Sequence, residues 1–263
     1  MILFLLVLIT HVKSPFLLDY YEDAYGLFYN YIFYVTKGES VRFNGPFVEP
    51  GYLGMIIAFL LYANNYDFRR WYIKFLLFCG LMTLSLAAYV LIFMGWLLNY
   101  SILKKRFLTV LFFVAMVCGV FVNVSSDSLL GEHIFSRLER NEDTGISGNN
   151  RVTVDAYVYY EQMFESSQWL VGYGSTLDDD RVRGSGVVFY MLHYGALGVF
   201  LWLLVYCSLI GKASDKKNAI CFLLLVIMSA LQRFYPYWFS WLFVYSSSIF
   251  VIGSVKCEKY GKI

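Results

Sequence analysis

The sequence predicts an all-α polytopic membrane protein, and three observations lead to that fold class. Of the 263 residues, 59% are hydrophobic and 20% aromatic, whereas only 15% are charged, against about 25% in an ordinary soluble domain. The mean hydropathy is +0.58. The apolar residues also form long runs, such as 187–210, which contains no Lys, Arg, Asp or Glu. This composition excludes a soluble enzyme, a DNA-binding protein and a disulfide-stabilised scaffold.

The apolar runs are continuous rather than alternating, which favours helices over the strands of a barrel. Because a helix needs about 20 apolar residues to cross the bilayer, we predict about seven or eight transmembrane helices. The predicted spans are 52–66, 70–84, 86–101, 107–124, 187–211, 219–234 and 238–254, together with the short apolar start. That start, Met1–Thr10, lacks the basic region and cleavage site of a signal peptide. We interpret it as the end of a membrane helix whose upstream part is missing.

Basic residues determine the predicted topology. One basic group, in residues 69–74, precedes the apolar run 72–98, and another, at 104–106, follows it. Both belong in the cytoplasm by the positive-inside rule, so an even number of crossings separates them. A turn at Thr83–Ser85 would supply this by dividing the run into two helices.

The long polar segment 125–186 then lies outside the cytoplasm, as a large loop inserted into a single membrane domain, 1–263. It holds 11 acidic residues, five arginines and no lysine, whereas the cytoplasmic segments hold 12 Lys and Arg against three acidic residues. Both chain termini are predicted to be cytoplasmic, in a bacterial inner membrane. A loop of this length usually carries function.

Within this loop, Arg151–Ser167 has apolar residues at helical spacing, including Tyr157, Val158 and Phe164. The pattern predicts an amphipathic helix at the membrane surface with Arg151 in its first turn. A second surface element is predicted in 14–36, where tyrosines and phenylalanines crowd around three acidic residues. We interpret it as an interfacial helix, which forms either an aromatic belt or a sugar-stacking surface.

Several charged residues fall on the predicted outer face. Arg42 and Glu49 flank a stretch broken by Gly and Pro directly before a span, and His193 lies near the outer end of another span. Arg151, Arg181 and Arg183 belong to the loop. Arginine forks bind phosphate bidentately, so we assign Arg42, Arg151, Arg181 and Arg183 to binding a diphosphate-linked lipid.

Glycosyl transfer from such a carrier needs cations on the leaving diphosphate and a base for the acceptor hydroxyl. Glu49, Arg151 and His193 are the candidate catalytic residues. Each also has a structural alternative: an acid at a span start, a surface arginine at a helix end and a satisfied interior histidine. Asp178–Asp180 is interpreted as a solvated run rather than a metal site, and no cofactor is predicted.

At this point the sequence resembles the Wzy-type O-antigen and capsule polysaccharide polymerases of the O-antigen polymerase and ligase superfamily. Arg42–Gly54 (RFNGPFVEPGYLG) resembles the family pattern R-x-x-G-x-F-x-E-P-x-x-L-G, and Leu84–Tyr89 (LSLAAY) resembles a turn between two central helices. Gly148–Arg151 opens the loop helix, Leu170–Gly174 (LVGYG) closes it, and Tyr194–Gly198 (YGALG) begins the next span. The resemblance covers most of residues 40–210.

The resemblance implies an inverting, metal-independent membrane glycosyltransferase of the GT-C type. Such an enzyme transfers a growing glycan from undecaprenyl diphosphate to the next lipid-linked repeat unit, on the periplasmic face. The matched positions imply that Arg151 holds the diphosphate, and Arg42 and Glu49 match the other charged positions of the family pattern. A chain-length regulator protein is a further implied partner, whereas nucleic acid is not.

The chain departs from the family in three places. The arginine of the ligase turn is missing, because Leu86 stands there, and the ligase histidine falls on Gly184 rather than on His193. Both losses favour a polymerase. Family members usually have more N-terminal helices, so the chain is interpreted as a shortened member. The alternatives are an O-antigen ligase, a transporter or flippase of lipid-linked sugars, and a fragment without activity.

Overall fold

The computed structural model is mostly helical, as the sequence predicts. The chain divides into two compact units, Met1–Asn99 and Tyr100–Ile263, which are described in turn. The residues that the structure describes are 9–10, 28–31, 35–37, 42–47, 49–103, 140–141, 145–146, 153–177, 186–232 and 239–260.

In the first unit, α1 (Pro50–Ala63) packs against both α2 (Trp71–Met82) and α3 (Leu86–Leu97). Proline at the start of α1 costs nothing there, because the first N–H groups of a helix have no intrahelical acceptor. Most of α1 is buried, as expected of a helix that is apolar on all sides and has neighbours on two. Beyond α3 the chain continues into a π-helical turn, Leu98–Leu103.

The predicted division of the run 72–98 into two helices is confirmed. α2 ends at Met82 and α3 begins at Leu86, so the turn falls at Thr83–Ser85. At the opposite end of these helices, the side-chain N–H of Asn99 donates to the side-chain oxygen of Asn65 over 3.1 Å. The loop that carries Arg69 and Arg70 therefore lies at the other end of this unit from the Thr83–Ser85 turn.

The predicted interfacial helix over 14–36 is wrong in the part that the structure describes. There β1 (Phe28–Asn30) pairs antiparallel with β2 (Val35–Lys37). Aromatic and β-branched residues favour extended backbone, and the Val35 N–H bonds to the Gly45 carbonyl over 2.8 Å instead of to a helical turn. Residues 14–27 lie outside the described residues.

The second unit contains five helices within its described part, as well as a two-stranded hairpin of β3 (Arg140–Asn141) and β4 (Gly145–Ile146). Three of the predicted spans match helices here, whereas 107–124 lies outside the described residues. The helices are α4 (Val154–Met163), α5 (Gln168–Val171), α6 (Gly186–Gly211), α7 (Lys216–Gln232) and α8 (Phe239–Tyr260).

Among the described residues, α6 alone is long and apolar enough to cross a membrane. Of its most apolar 18-residue stretch, 22% is buried inside the protein, whereas a core helix of a soluble protein would be mostly buried. Four shorter apolar helices accompany it: Pro50–Ala63, Trp71–Met82, Leu86–Tyr100 and Trp241–Ile252.

Aromatic rings join α6, α7 and α8. The Tyr245 hydroxyl donates to the Tyr206 carbonyl over 3.1 Å, and the Tyr245 ring lies 4.3 Å from that of Tyr206 and 5.4 Å from that of Phe222. Asp215 accepts the Asn218 N–H and so caps α7. These contacts hold the helices together on one side of α6 and leave its other side exposed.

Candidate functional site

The segment around Arg42 docks on the end of α2. The Phe43 N–H donates to the Met82 carbonyl over 2.9 Å, and the Arg42 Nε donates to the Thr83 carbonyl over 3.1 Å. Phe43 is buried, while the Arg42 side chain is half-buried. Arg42, which is predicted to bind diphosphate, is therefore in direct contact with the predicted helix turn. Thr83 lies 41 positions later in the sequence.

These contacts complete the hydrogen bonding of the last turn of α2. The last four carbonyl groups of a helix accept no hydrogen bond from within the helix and need donors from elsewhere. The Gly80 carbonyl accepts the Thr83 hydroxyl over 2.7 Å, and the Leu81 carbonyl accepts the Tyr89 hydroxyl over 2.7 Å. With Phe43 and Arg42 on the next two carbonyls, all four are satisfied.

Arg42 therefore has a structural role that the sequence analysis did not predict. A guanidinium at a helix C-terminus is also favoured by the helix dipole. Since Nε donates to Thr83, a phosphate would be bound through the terminal nitrogens of Arg42. The cation is also close enough to the Tyr89 hydroxyl to act on it electrostatically.

The turn that receives Arg42 is strained. Leu84 adopts φ 45, a conformation that a leucine rarely takes. Strain of this kind persists only where the surroundings hold the backbone in place. Here Thr83 is fully buried and its hydroxyl is bonded to Gly80, so the Thr83 carbonyl has a fixed direction.

The motif containing Arg42 and Glu49 folds back on itself. Gly45 has φ +58, and a Cβ there would lie 3.1 Å from Leu53 Cδ2. Glu49 is half-buried at the N-terminus of α1, where its carbonyl accepts the Tyr52 N–H. A carboxylate at this end of a helix is favoured by the dipole.

The last glycine of the motif joins α1 to α3. A Cβ at Gly54 would lie 2.3 Å from the Cβ of Ala88 and 3.4 Å from the hydroxyl of Thr83. Only a glycine allows so close an approach of these two helices. Arg42–Gly54 and Leu84–Tyr89, which both carry the resemblance, thus form one contact surface.

In the second unit, the turn after α5 packs on α6 backbone against backbone. A Cβ at Gly172 would lie 2.4 Å from the carbonyl of His193, and one at Gly195 would lie 2.4 Å from the carbonyl of Leu170. We call this contact, of Leu170–Gly172 with His193–Gly195, the glycine joint. It brings together two further stretches of the resemblance, LVGYG and YGALG.

The glycine joint explains a kink in α6. Gly195 has φ 61 and ψ −169, a region that is open essentially to glycine alone. The break exposes the Leu192 carbonyl, which accepts the Tyr173 N–H over 2.7 Å. The Tyr173 hydroxyl donates to the Tyr159 carbonyl over 3.3 Å, and burial raises the pKa of Tyr173, with a further contribution from Tyr159.

His193 lies inside this joint. Its ring is half-buried and lies 4.4 Å from the ring of Phe189 and 5.9 Å from that of Tyr194. These contacts show that the ring is packed against other side chains of α6. Its assignment as a catalytic base remains a prediction.

The described loop helix begins later than the predicted start at Arg151. α4 starts at Val154, where the hydroxyl of Thr153 accepts the Ala156 N–H, and Arg151 lies outside the described residues. Threonine is a strong N-cap and stops the helix from extending backwards. The stripe that packs on the protein comprises Ala156, Tyr159, Tyr160 and Met163.

The apolar residues predicted for this helix divide between two environments, because Met163 is fully buried whereas three others are exposed. Tyr157, Val158 and Phe164 are all among the exposed large hydrophobic residues. Tyrosines occupy both sides of this helix, and hydrophobic spacing therefore could not identify the buried side. Ala156, which is small and fully buried at the start of this stripe, is the residue that could have indicated it.

Three of the predicted site residues lie outside the described residues: Arg151, Arg181 and Arg183. Arg42 and Glu49 belong to the first unit, whereas His193 belongs to the second. Among the residues that the structure does describe, no group of three or more His, Cys, Asp or Glu side chains could hold a metal ion. Sequence reasoning did not identify Thr83 and Tyr89, whose hydroxyls donate hydrogen bonds to carbonyls in the last turn of α2.

Comparison with protein-family models, with curated proteins and with solved structures finds no match to this chain. The resemblance described above therefore rests on its motifs and on their arrangement.

Proposed function

We propose that this protein is a multi-pass membrane glycosyltransferase that polymerises oligosaccharide repeat units carried on undecaprenyl diphosphate. It acts in O-antigen, capsule or exopolysaccharide synthesis, on the periplasmic face of a bacterial inner membrane. The proposal includes seven or eight membrane spans with both termini in the cytoplasm.

Exposed apolar side chains support the membrane location. Along α6, Leu197, Phe200, Leu201, Leu204 and Val205 are each 46–56% exposed. Burying a large apolar side chain is worth about 1.5–3 kcal/mol, so a row of five would be costly in water. Lipid surrounding α6 removes that cost.

The shorter helices fit the same location. α1 has 14 residues and α2 has 12, or about 21 and 18 Å at a rise of 1.5 Å per residue. Short spans are accommodated by local thinning of the bilayer and by polar residues at their ends. Arg69 and Arg70 at one end of α2 and Arg42 at the other provide such residues.

The observation that carries the proposal is the pairing of the motifs. Five stretches suggested the family, and the structure joins the four that it describes in two pairs, the first through Gly54 and Ala88 and the second through Gly172 and Gly195. Stretches that matched by chance would have no reason to pack against one another at their glycines. Arg42 belongs to the first pair, and His193 directly precedes Tyr194 in the second.

In the proposed reaction, a hydroxyl oxygen of the incoming repeat unit bonds to the anomeric carbon of the donor glycan. The bond from that carbon to the diphosphate oxygen breaks, and undecaprenyl diphosphate leaves with the bonding electrons. The hydroxyl proton passes to a base. Arginines can stabilise the charge that develops on the diphosphate without a metal ion.

The roles of the residues follow from their chemistry. Arg151, with Arg42, Arg181 and Arg183, binds the carrier diphosphate. Glu49, seven positions after Arg42 and at the head of α1, either orients the arginines or accepts the proton. His193 is the less favoured base because its ring packs between aromatic neighbours.

The proposal is tested by complementation of a strain that lacks its own repeat-unit polymerase. Arg151→Ala should abolish long-chain polysaccharide, because loss of one charge-stabilising donor typically lowers the rate on the order of 10²-fold or more. Arg140→Ala is the matched control, since it removes the same charge from the same loop outside the proposed site. Glycan banding and the membrane level of each variant are measured together.

The outcomes separate the alternatives. Normal banding with Arg151→Ala would remove Arg151 from the site. If the unaltered chain leaves only single repeat units in the polymerase-deficient strain, the polymerase function itself is wrong. A ligase would instead restore transfer of finished polymer to lipid A-core in a ligase-deficient strain.

A further inference from the structure

The short helix α5 presents three consecutive large apolar side chains to the surroundings. Trp169 is 45% exposed, Leu170 46% and Val171 56%. We call these three residues the α5 patch. In an aqueous loop such a cluster would be costly, because large exposed apolar groups on a soluble surface are usually dispersed or covered.

The glycine joint fixes the α5 patch to α6. The backbone of Leu170 and Val171 lies directly against Gly195, so a Cβ on that glycine would meet both residues at 2.4–2.5 Å. The Tyr173 N–H bond to Leu192 holds the other side of the turn. The patch therefore cannot move away from α6 without breaking this contact.

The exposed face of α6 begins at the same place. Tyr194 is 46% exposed, and the exposed apolar row continues from Leu197 along the helix towards Gly211. Trp169 and Tyr194 thus lie at the start of the row and aliphatic and phenylalanine side chains follow. Amphipathic aromatics at the end of an apolar row are typical of the membrane–water boundary.

We propose that the α5 patch inserts into the bilayer surface and anchors the outer loop at the start of α6. The three side chains contact the region of the bilayer between the lipid headgroups and the acyl chains. This inference rests on the proposed membrane location of α6 but not on the polymerase activity. A second copy of the chain would be expected to cover a discrete patch, whereas this one is continuous with the exposed face of a helix long enough to span.

Anchoring has a consequence for the proposed reaction. α5 and the turn after it, residues 172–177, would be held at the depth of the lipid headgroups, where the diphosphate of a membrane-bound carrier also lies. The anchor fixes that depth for the glycine joint and for His193.

The test uses the whole protein, labelled with 5-fluorotryptophan and placed in lipid nanodiscs. The resonance of Trp169 is assigned as the one that disappears in Trp169→Phe. Its fluorine signal is then measured with lipid bearing a nitroxide near the headgroup and, separately, with a gadolinium chelate in the water. Trp202, at 7% exposure, is the internal control.

We expect the nitroxide lipid to broaden the Trp169 signal at least severalfold more than the aqueous chelate does. Stronger broadening by the chelate would place the patch in water and overturn the proposal. Protection from both agents would show that protein covers the patch, which also overturns it. Activity is not measured, so a failure of the polymerase assignment would leave this result unaffected.

Discussion

Gly172 and Gly174 stand two positions apart in the same turn but have different surroundings. Gly172 has φ +78 and lies against the backbone of His193, whereas Gly174 has φ +57 and nothing within 4 Å of where a Cβ would be. Both glycines relieve a backbone conformation that is unfavourable for other residues. Only Gly172 is also required by close packing.

This difference predicts unequal effects of alanine at the two positions. Gly174→Ala should cost about 1–2 kcal/mol, the usual penalty for a left-handed residue. Gly172→Ala adds a backbone clash and should cost several kcal/mol in total, on the order of 3 or more. Thermal unfolding of both variants in the same detergent checks this, and equal shifts in Tm would contradict the backbone contact.

Residue types indicated where helices end or are interrupted, but not which part of the protein each of these positions contacts. The glycines at 172 and 195 marked a turn and the start of a span; in the structure Gly172 ends α5, whereas Gly195 forms a kink within α6. Their mutual contact could not be predicted, because it depends on how α5 folds back on α6. Likewise Arg42 was recognised by its charge, whereas its bond to Thr83 depends on a strained Leu84 that has no sequence signal.

At the scale of elements, continuous apolar runs predicted the helices well. The α2–α3 hairpin was derived from charge placement alone, since an even number of crossings was required between two basic groups. The hairpin of β1 and β2 was missed because an aromatic-rich stretch fits an interfacial helix and a strand equally well. For α4, tyrosines on both faces left the buried side undetermined.

The hairpin also allows the proposed topology to be tested. Arg42 and the Thr83–Ser85 turn share one end of the first unit, while Arg69 lies at the other end with 86% of its side chain exposed. In a chain whose five native cysteines are replaced by alanine, Pro46→Cys should react with a membrane-impermeant maleimide added outside spheroplasts. Arg69→Cys should react only after permeabilisation.

Two other labelling results would contradict this topology. Labelling of Arg69→Cys alone in intact spheroplasts would place the arginine loop outside and reverse the orientation. Labelling of both positions would mean that α1 does not cross the membrane. The first result would remove Arg42 and Glu49 from a periplasmic site, and the second would overturn the predicted span at α1.

At the scale of the whole molecule, the charges divide by position. The near-neutral net charge of +2 separates into lysine-rich segments and an acidic loop whose cations are all arginine. The membrane excludes charge from the apolar runs, so the remaining charges mark the ends of helices and the proposed site. Arg42 shows that such a residue can also complete the hydrogen bonding at the end of a helix.

The central claim is that the chain joins lipid-linked repeat units, and in vitro polymerisation tests it most directly. The purified protein is reconstituted in liposomes with undecaprenyl-diphosphate-linked repeat unit isolated from a polymerase-deficient strain, in the presence of EDTA. We expect a ladder of glycans that differ by one repeat unit, with one undecaprenyl diphosphate released for each bond formed. Repeat units that remain single, whether unchanged or merely moved across the bilayer, would contradict the claim.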